Sequence, residues 1–242
     1  MKHLTYLRYE LLRTYRNRRF VMFSLIFPLI LFLVVAGPHR DLIVVGISYP
    51  LYFMTGMVAW GTMVAIVSSG GRISAERSVG WTRQLRVTPL STWSYFAAKV
   101  LCGYVMAIAS MIVLFAAGVS YGVRLSASQW AVMVGLLLIG LIPFTVLGIM
   151  LGHLLTPDSL GPALGGVTSL LALLGGAYGP LVTSGVLYDV IKLLPSFWLV
   201  QAGKTALGGG GWPLEGWLVI IGWTLVLSAL AVRVYQRDTV RL

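Results

Sequence analysis

The chain has 242 residues, 58% of them hydrophobic and only 10% charged, with a mean hydropathy of +0.88. Ordinary globular domains carry roughly 25% charged residues, so this composition excludes a water-soluble domain and describes an integral membrane protein. The net charge of +11 does not point to nucleic acid, because the basic residues sit in segments that alternate with long apolar runs, the pattern of membrane topology.

In chain order, Leu4, Leu7, Leu11 and Tyr15 recur at three- and four-residue spacing, with Glu10, Arg13 and Asn17 opposite. This predicts an amphipathic helix within residues 1–19 that lies on the inner membrane surface, its arginines drawn to anionic lipid headgroups. Apolar runs follow at Phe20 to Ala36, Pro50 to Gly71, Val100 to Val123, Gln129 to Gly152, Leu160 to Val182 and Gly216 to Val232. A helix of about 20 residues crosses a hydrocarbon core of about 30 Å, so the expected fold is all-α with six transmembrane helices. The first run is kept as a helix and not a signal peptide: its basic leader is long, and no A-x-A-like site follows at Val34 to Pro38.

With the N-terminus inside, 14 of the 18 Lys and Arg residues fall on the cytoplasmic side, and only Arg40, Arg124, Lys192 and Lys204 fall outside. The positive-inside rule therefore places both termini in the cytoplasm of a multi-pass protein of the cell membrane. The third outer segment, residues 183–215, holds apolar stretches too short to span, interrupted by Pro195 and a run of four glycines. It predicts a re-entrant pair of short helices with Phe197, Trp198 and Trp212 at headgroup depth. Thr156-Pro157-Asp158 reads as a turn and helix cap. Gly118/Gly122, Gly148/Gly152 and Gly161/Gly165 sit four apart, the spacing at which helices approach closely.

Chemistry is sparse. No Asp, Glu, Lys or Arg lies inside the six runs, which weighs against transport driven by a coupling ion bound at membrane depth. His3, His39 and His153 fall in an inner tail, an outer loop and an inner span edge and cannot share a metal; each reads as a solvated or headgroup residue. Cys102 is the sole cysteine, so no intramolecular disulfide forms. Ala202-Gly203-Lys204-Thr205 mimics the end of a phosphate-binding loop, but the required glycine five positions before Gly203 is Trp198. With about 120 residues in spans, no room is left for a nucleotide-binding domain. We therefore expect no catalytic residue, no metal site and no cofactor bound by this chain.

One loop stands apart. In GRISAERSVGWTRQLRVTPLSTWSYFAAK, Gly71 to Lys99, the residues Arg72, Arg77, Arg83, Arg86 and Lys99 surround the single acid Glu76, which is expected to order Arg72, Arg77 or a partner's arginine. Gly80, Trp81, Leu85 and the break at Thr88-Pro89 predict a short amphipathic helix. Gly80 permits a sharp turn, Trp81 and Leu85 offer an apolar anchor, and Arg83 and Arg86 can meet carboxylates.

Glu76 to Leu90, followed by Tyr95 and Lys99, resembles the signature after the second helix in type-2 permeases of ATP-binding-cassette (ABC) exporters, particularly the drug- and antibiotic-resistance branch. Surface helix, six spans, long third outer loop and inner termini extend the resemblance over most of the chain. It implies a single permease domain in which residues 72–96 form a cytoplasmic coupling region, with Glu76, Gly80, Trp81, Arg83, Leu85 and Arg86 at its contact with an ATPase. It also implies two copies of a cytoplasmic ABC ATPase subunit that uses ATP and Mg, and a second permease chain, identical or closely related. The implied function is efflux of an amphipathic or hydrophobic substrate such as a drug, an antibiotic or a lipid. Tyr52, Phe53, Met57 and Trp60 of the second span, with Thr168, Ser169 and Tyr178 of the fifth, are candidates to line the pathway. The competing readings are export of a lipid or polysaccharide by a permease of the same family, and a passive oligomeric pore without a motor.

Overall fold

The computed structural model describes residues 2–44, 46–81, 84, 91–179, 181–208 and 210–240. Helix α1 (Lys2–Tyr15) is followed by α2 (Arg18–Val21), a π-helical turn at Met22–Ile26 and α3 (Phe27–Ala36). The expected first run is therefore continuously helical with a π turn inside it, placed just before Pro28, which has no N–H for the Ser24 carbonyl. That carbonyl instead accepts from Ser110 Oγ at 2.9 Å, which pins the π turn to a neighbouring helix. A two-residue hairpin, β1 (Ile43–Val44) and β2 (Ile47–Ser48), leads into α4 (Tyr49–Gly71).

Helix α4 is the axis of the bundle. Over its most apolar stretch 94% of the residues are buried, packed against α3 and four helices introduced in turn: α6 (Thr92–Ser120), α8 (Ile142–Leu154), α9 (Pro157–Leu174) and α11 (Pro195–Leu207). The short α5 (Ile73–Ser78) continues α4 after a bend at Arg72. Helix α6 starts on a Ser91 cap and ends where Gly122, at φ 90°, lets Val123 N–H reach back to the Gly118 carbonyl. Helix α7 (Ala127–Gly140) opens with a Ser126/Gln129 capping box, and Pro143 separates it from α8. The Thr156 cap with Pro157 at the first turn of α9 matches expectation.

Four helices among the described residues are long and apolar enough to cross a membrane, at Tyr49–Ser78, Trp93–Ser120, Ala127–Leu154 and Leu214–Arg237, with a shorter apolar helix at Met22–Ala36. The expected fifth span differs: α9 stops at Leu174, eight residues early, because Gly176 and Gly179 take positive φ and turn the chain. Helices α10 (Val186–Lys192) and α11 precede the last helix, α12 (Leu214–Val240). The paired short helices are present, but Phe197, Trp198 and Trp212 are buried in the bundle and not displayed at a surface. Trp198 Nε1 donates to the Lys192 carbonyl at 2.7 Å and Trp223 Nε1 to that of Leu193 at 2.7 Å, so the indoles fasten the α10–α11 junction.

Of the three glycine pairs, Gly148/Gly152 makes a close helix crossing. A Cβ on Gly148 would stand 2.5 Å from the Val67 carbonyl oxygen, and one on Gly152 would stand 2.6 Å from that of Gly70. Gly161 and Gly165 face open space.

Candidate functional site

The crossing of α4 and α8 delivers α5 to the end of the bundle where α1, the start of α6 and the end of α12 meet. Arg77 Nη1 donates to the His153 carbonyl at 2.7 Å, and Ser74 Oγ to that of Leu155 at 2.7 Å. These are last-turn carbonyls of α8 that lack partners within the helix. Glu76 is thereby turned inward and is 1% exposed.

Its carboxylate is saturated. Oε1 accepts from Arg13 Nη1 at 2.7 Å and from Lys99 Nζ at 2.5 Å, and Oε2 accepts from the Tyr95 hydroxyl at 2.6 Å. Lys99 Nζ also donates to Glu10 Oε1 at 2.5 Å, and Arg13 lies 4.0 Å from the other Glu10 oxygen. Arg72 Nη1 donates to Thr14 Oγ1. Two carboxylates thus balance Lys99 and Arg13, and the four charges come from α1, α5 and α6. Burying ions costs several kcal/mol each unless they are paired and hydrogen-bonded; here both conditions are met. Tyr6, beside Tyr95 with ring centroids 6.5 Å apart, has its phenol pushed above the ordinary range by burial and then by the charges of Glu10 and Glu76.

Two expectations change here. Glu76 holds Arg13, Lys99 and Tyr95, while Arg72 donates to Thr14 and Arg77 to the end of α8. Helix α1 also buries part of the face opposite its apolar stripe: Glu10 and Thr14 are buried, while Arg13 is half-exposed and Asn17 exposed. A cation waiting on α6 outweighs the apolar stripe. Glu10 and Arg13 are the residues that motif reading left out; Tyr95 and Lys99 stood in the motif without an assigned partner. The signal for Glu10 was its rarity, one of seven acids in a chain with 18 basic residues.

Beyond Glu76, α5 ends at Ser78, and Gly80 takes φ 71° with open space around it. Trp81 is 38% exposed, a large apolar side chain at the edge of the junction. Arg83, Leu85 and Arg86 lie outside the described residues.

The candidate pathway residues are placed differently from expectation. Tyr52, Phe53, Met57 and Trp60 are buried inside the chain because α4 is central, so they present no surface to a passage between two chains. The Trp60 ring packs edge-on to Phe27 at 5.5 Å and to Tyr178 at 5.7 Å. Thr168 Oγ1 is spent on the Leu164 carbonyl of its own helix, and Ser169 is half-buried. His153, expected to be solvated, is buried beside Tyr235, with ring centroids 5.4 Å apart, where α12 packs on α8. Ala202-Gly203-Lys204-Thr205 lies within helix α11, not in a phosphate-cradling loop. No group of His, Cys, Asp and Glu among the described residues is suited to a metal ion.

Comparison with known proteins supplies the family. The ABC-2 type transporter family matches residues 3–206. A protein of Bacillus subtilis (strain 168) named "Putative transport permease YvfS" is 26% identical over 233 residues, which cover 95% of each chain. With the match spanning α1 through α11, this multi-pass, all-α membrane protein belongs to the ABC-2 type transporter family.

Proposed function

We propose that the chain is the transmembrane subunit of an ATP-driven exporter of amphipathic or hydrophobic compounds, of the drug, antibiotic or lipid-like class. ATP and Mg are used by a separate cytoplasmic ABC ATPase, two copies of which act with two permease chains. In this reading the whole chain is one permease domain. The end that carries the Glu76 cluster faces the cytoplasm, as the distribution of basic residues favours, and residues 72–96 receive the ATPase.

The observation that carries this reading is the position of the cluster. Glu76 stands four residues before Gly80 and five before Trp81, and it joins α1, α5 and α6 through buried charge-assisted bonds. A displacement of the loop by an ATPase therefore moves several helices at once, because paired buried ions resist separation.

The test is purification of the chain with and without its co-purifying ATPase, followed by reconstitution into vesicles. The complex is expected to hydrolyse ATP and move substrate, and the chain alone to do neither. Hydrolysis by the chain alone, free of contaminating ATPase, overturns the proposal. Sidedness is read from single cysteines at Ser91 and Ser184, since native Cys102 is fully buried. Labelling of both from the same face of intact cells refutes the arrangement.

A further inference from the structure

Beside the ion cluster, α1 and the bend between α4 and α5 enclose a cleft of about 590 Å³ lined by Tyr9, Leu12, Arg13, Arg16, Asn17, Arg72 and Ala75. Three of the seven lining residues are arginines and none is an acid. The two nearby acids are already engaged: Glu76 by Lys99, Arg13 and Tyr95, and Glu10 by Lys99.

The arginines retain donors. Arg13 spends Nη1 on Glu76 and Arg72 spends Nη1 on Thr14, while each guanidinium carries five N–H groups in a planar fork suited to phosphate. Arg16 is exposed and makes no side-chain hydrogen bond among the described residues. Asn17 uses Oδ1 to accept from Phe20 N–H, which leaves its amide NH₂ to donate.

The apolar part of the lining selects among phosphate sources. Tyr9 is 67% exposed and Leu12 47%, and the chain that continues from Asn17 exposes Met22, Phe23, Ile26 and Phe27 as it enters the apolar bundle. A free phosphate gains nothing from such surfaces; an acyl chain below a bound headgroup covers them.

We propose that this cleft is a discrete binding site for the phosphate of an anionic phospholipid, one per chain, distinct from diffuse attraction of the basic surface to the membrane. The lipid bridges α1 to the α4–α5 bend and so completes a positive wall that the chain itself leaves uncompensated at Arg16. Arg72 and Ala75 also belong to residues 72–96, which the export reading assigns to the ATPase, so the site is tested on the chain without ATPase, where its failure is distinguishable from failure of that reading.

The experiment is native mass spectrometry of the full chain, without ATPase, in non-ionic detergent micelles containing phosphatidylglycerol or phosphatidylcholine. One phosphatidylglycerol per chain is expected to survive activation that strips phosphatidylcholine. Arg16→Gln should weaken retention about fivefold, the share of one basic residue at a lipid surface. Arg18→Gln removes the same charge from an exposed residue outside the cleft and should leave retention within about twofold of wild type. Equal losses in both variants, or no phosphatidylglycerol adduct, overturn the proposal. So does displacement of the lipid by inorganic phosphate at equal concentration, which assigns the site to a free anion.

Discussion

The Lys99 ammonium lies 2.5 Å from a Glu76 carboxylate oxygen, and neither side chain is accessible to solvent beyond 1%. Positions 76 and 99 bracket the loop that holds Gly80 and Trp81, so this contact closes the loop at its base. Glu10 on the same ammonium and Arg13 on the same carboxylate add α1 to the closure. In the proposed coupling, a force on the loop is delivered to α1, α5 and α6 together.

The two partners are not equivalent. Lys99→Met leaves Glu10 and Glu76 buried without the ammonium that bonds them both, and removing one member of a buried ion pair costs about 3–5 kcal/mol. Glu76→Gln leaves Lys99 paired with Glu10 and keeps an acceptor for the Tyr95 hydroxyl, so its cost is set at about 1–3 kcal/mol. Thermal unfolding in detergent should rank Lys99→Met as the less stable variant. The reverse order refutes the charge balance described for the cluster.

Much of this was legible in the sequence, and the failures share a cause. Composition and the alternation of apolar and basic segments revealed the membrane class, and Glu76 to Leu90 revealed the family, because both are local patterns. The roles of Glu10 and Lys99 were not legible, since they are 89 residues apart and meet only once α1 is docked on α6. Periodicity sets Glu10 opposite the apolar stripe but says nothing of the Lys99 ammonium against which the structure buries it. The aromatic second span invited a pathway reading, yet hydropathy does not separate a helix facing a passage from one at the centre of its own bundle.

The α4–α8 crossing should tolerate no side chain. Gly148→Val places methyl carbons beyond a Cβ that is already 2.5 Å from the Val67 carbonyl oxygen, a backbone atom that has no rotamer to escape into. Loss of properly folded protein is expected on size-exclusion chromatography. Gly161→Ala, in open space on α9, should behave as wild type. Normal folding of Gly148→Val would contradict the close approach.

Trp60 is read as packing. Trp60→Ala removes a buried indole wedged between Phe27 and Tyr178, and such truncations cost about 3–5 kcal/mol. The melting temperature should fall markedly and purified yield with it. An unchanged melting temperature with an altered substrate profile would restore Trp60 to the pathway.

The last prediction concerns the loop. Gly80 sits at φ 71°, where a non-glycine residue is strained and a β-branched one more so. Its surroundings are open, so the penalty is conformational and not steric. Gly80→Ala should therefore impair coupling mildly and Gly80→Val severely, through a misdirected Trp81. Trp81→Ala tests the anchor itself: a large aromatic that becomes buried at an interface is worth about 2 kcal/mol or more, or roughly a 30-fold loss of affinity for the ATPase. Because Trp81 is 38% exposed in the isolated chain, its removal should leave the melting temperature of the chain alone nearly unchanged. Affinity for the ATPase and export by reconstituted vesicles are the decisive measurements. Loss of both with an intact chain supports coupling through this loop. Wild-type affinity and export for both Trp81→Ala and Gly80→Val would leave the loop as a mere determinant of topology.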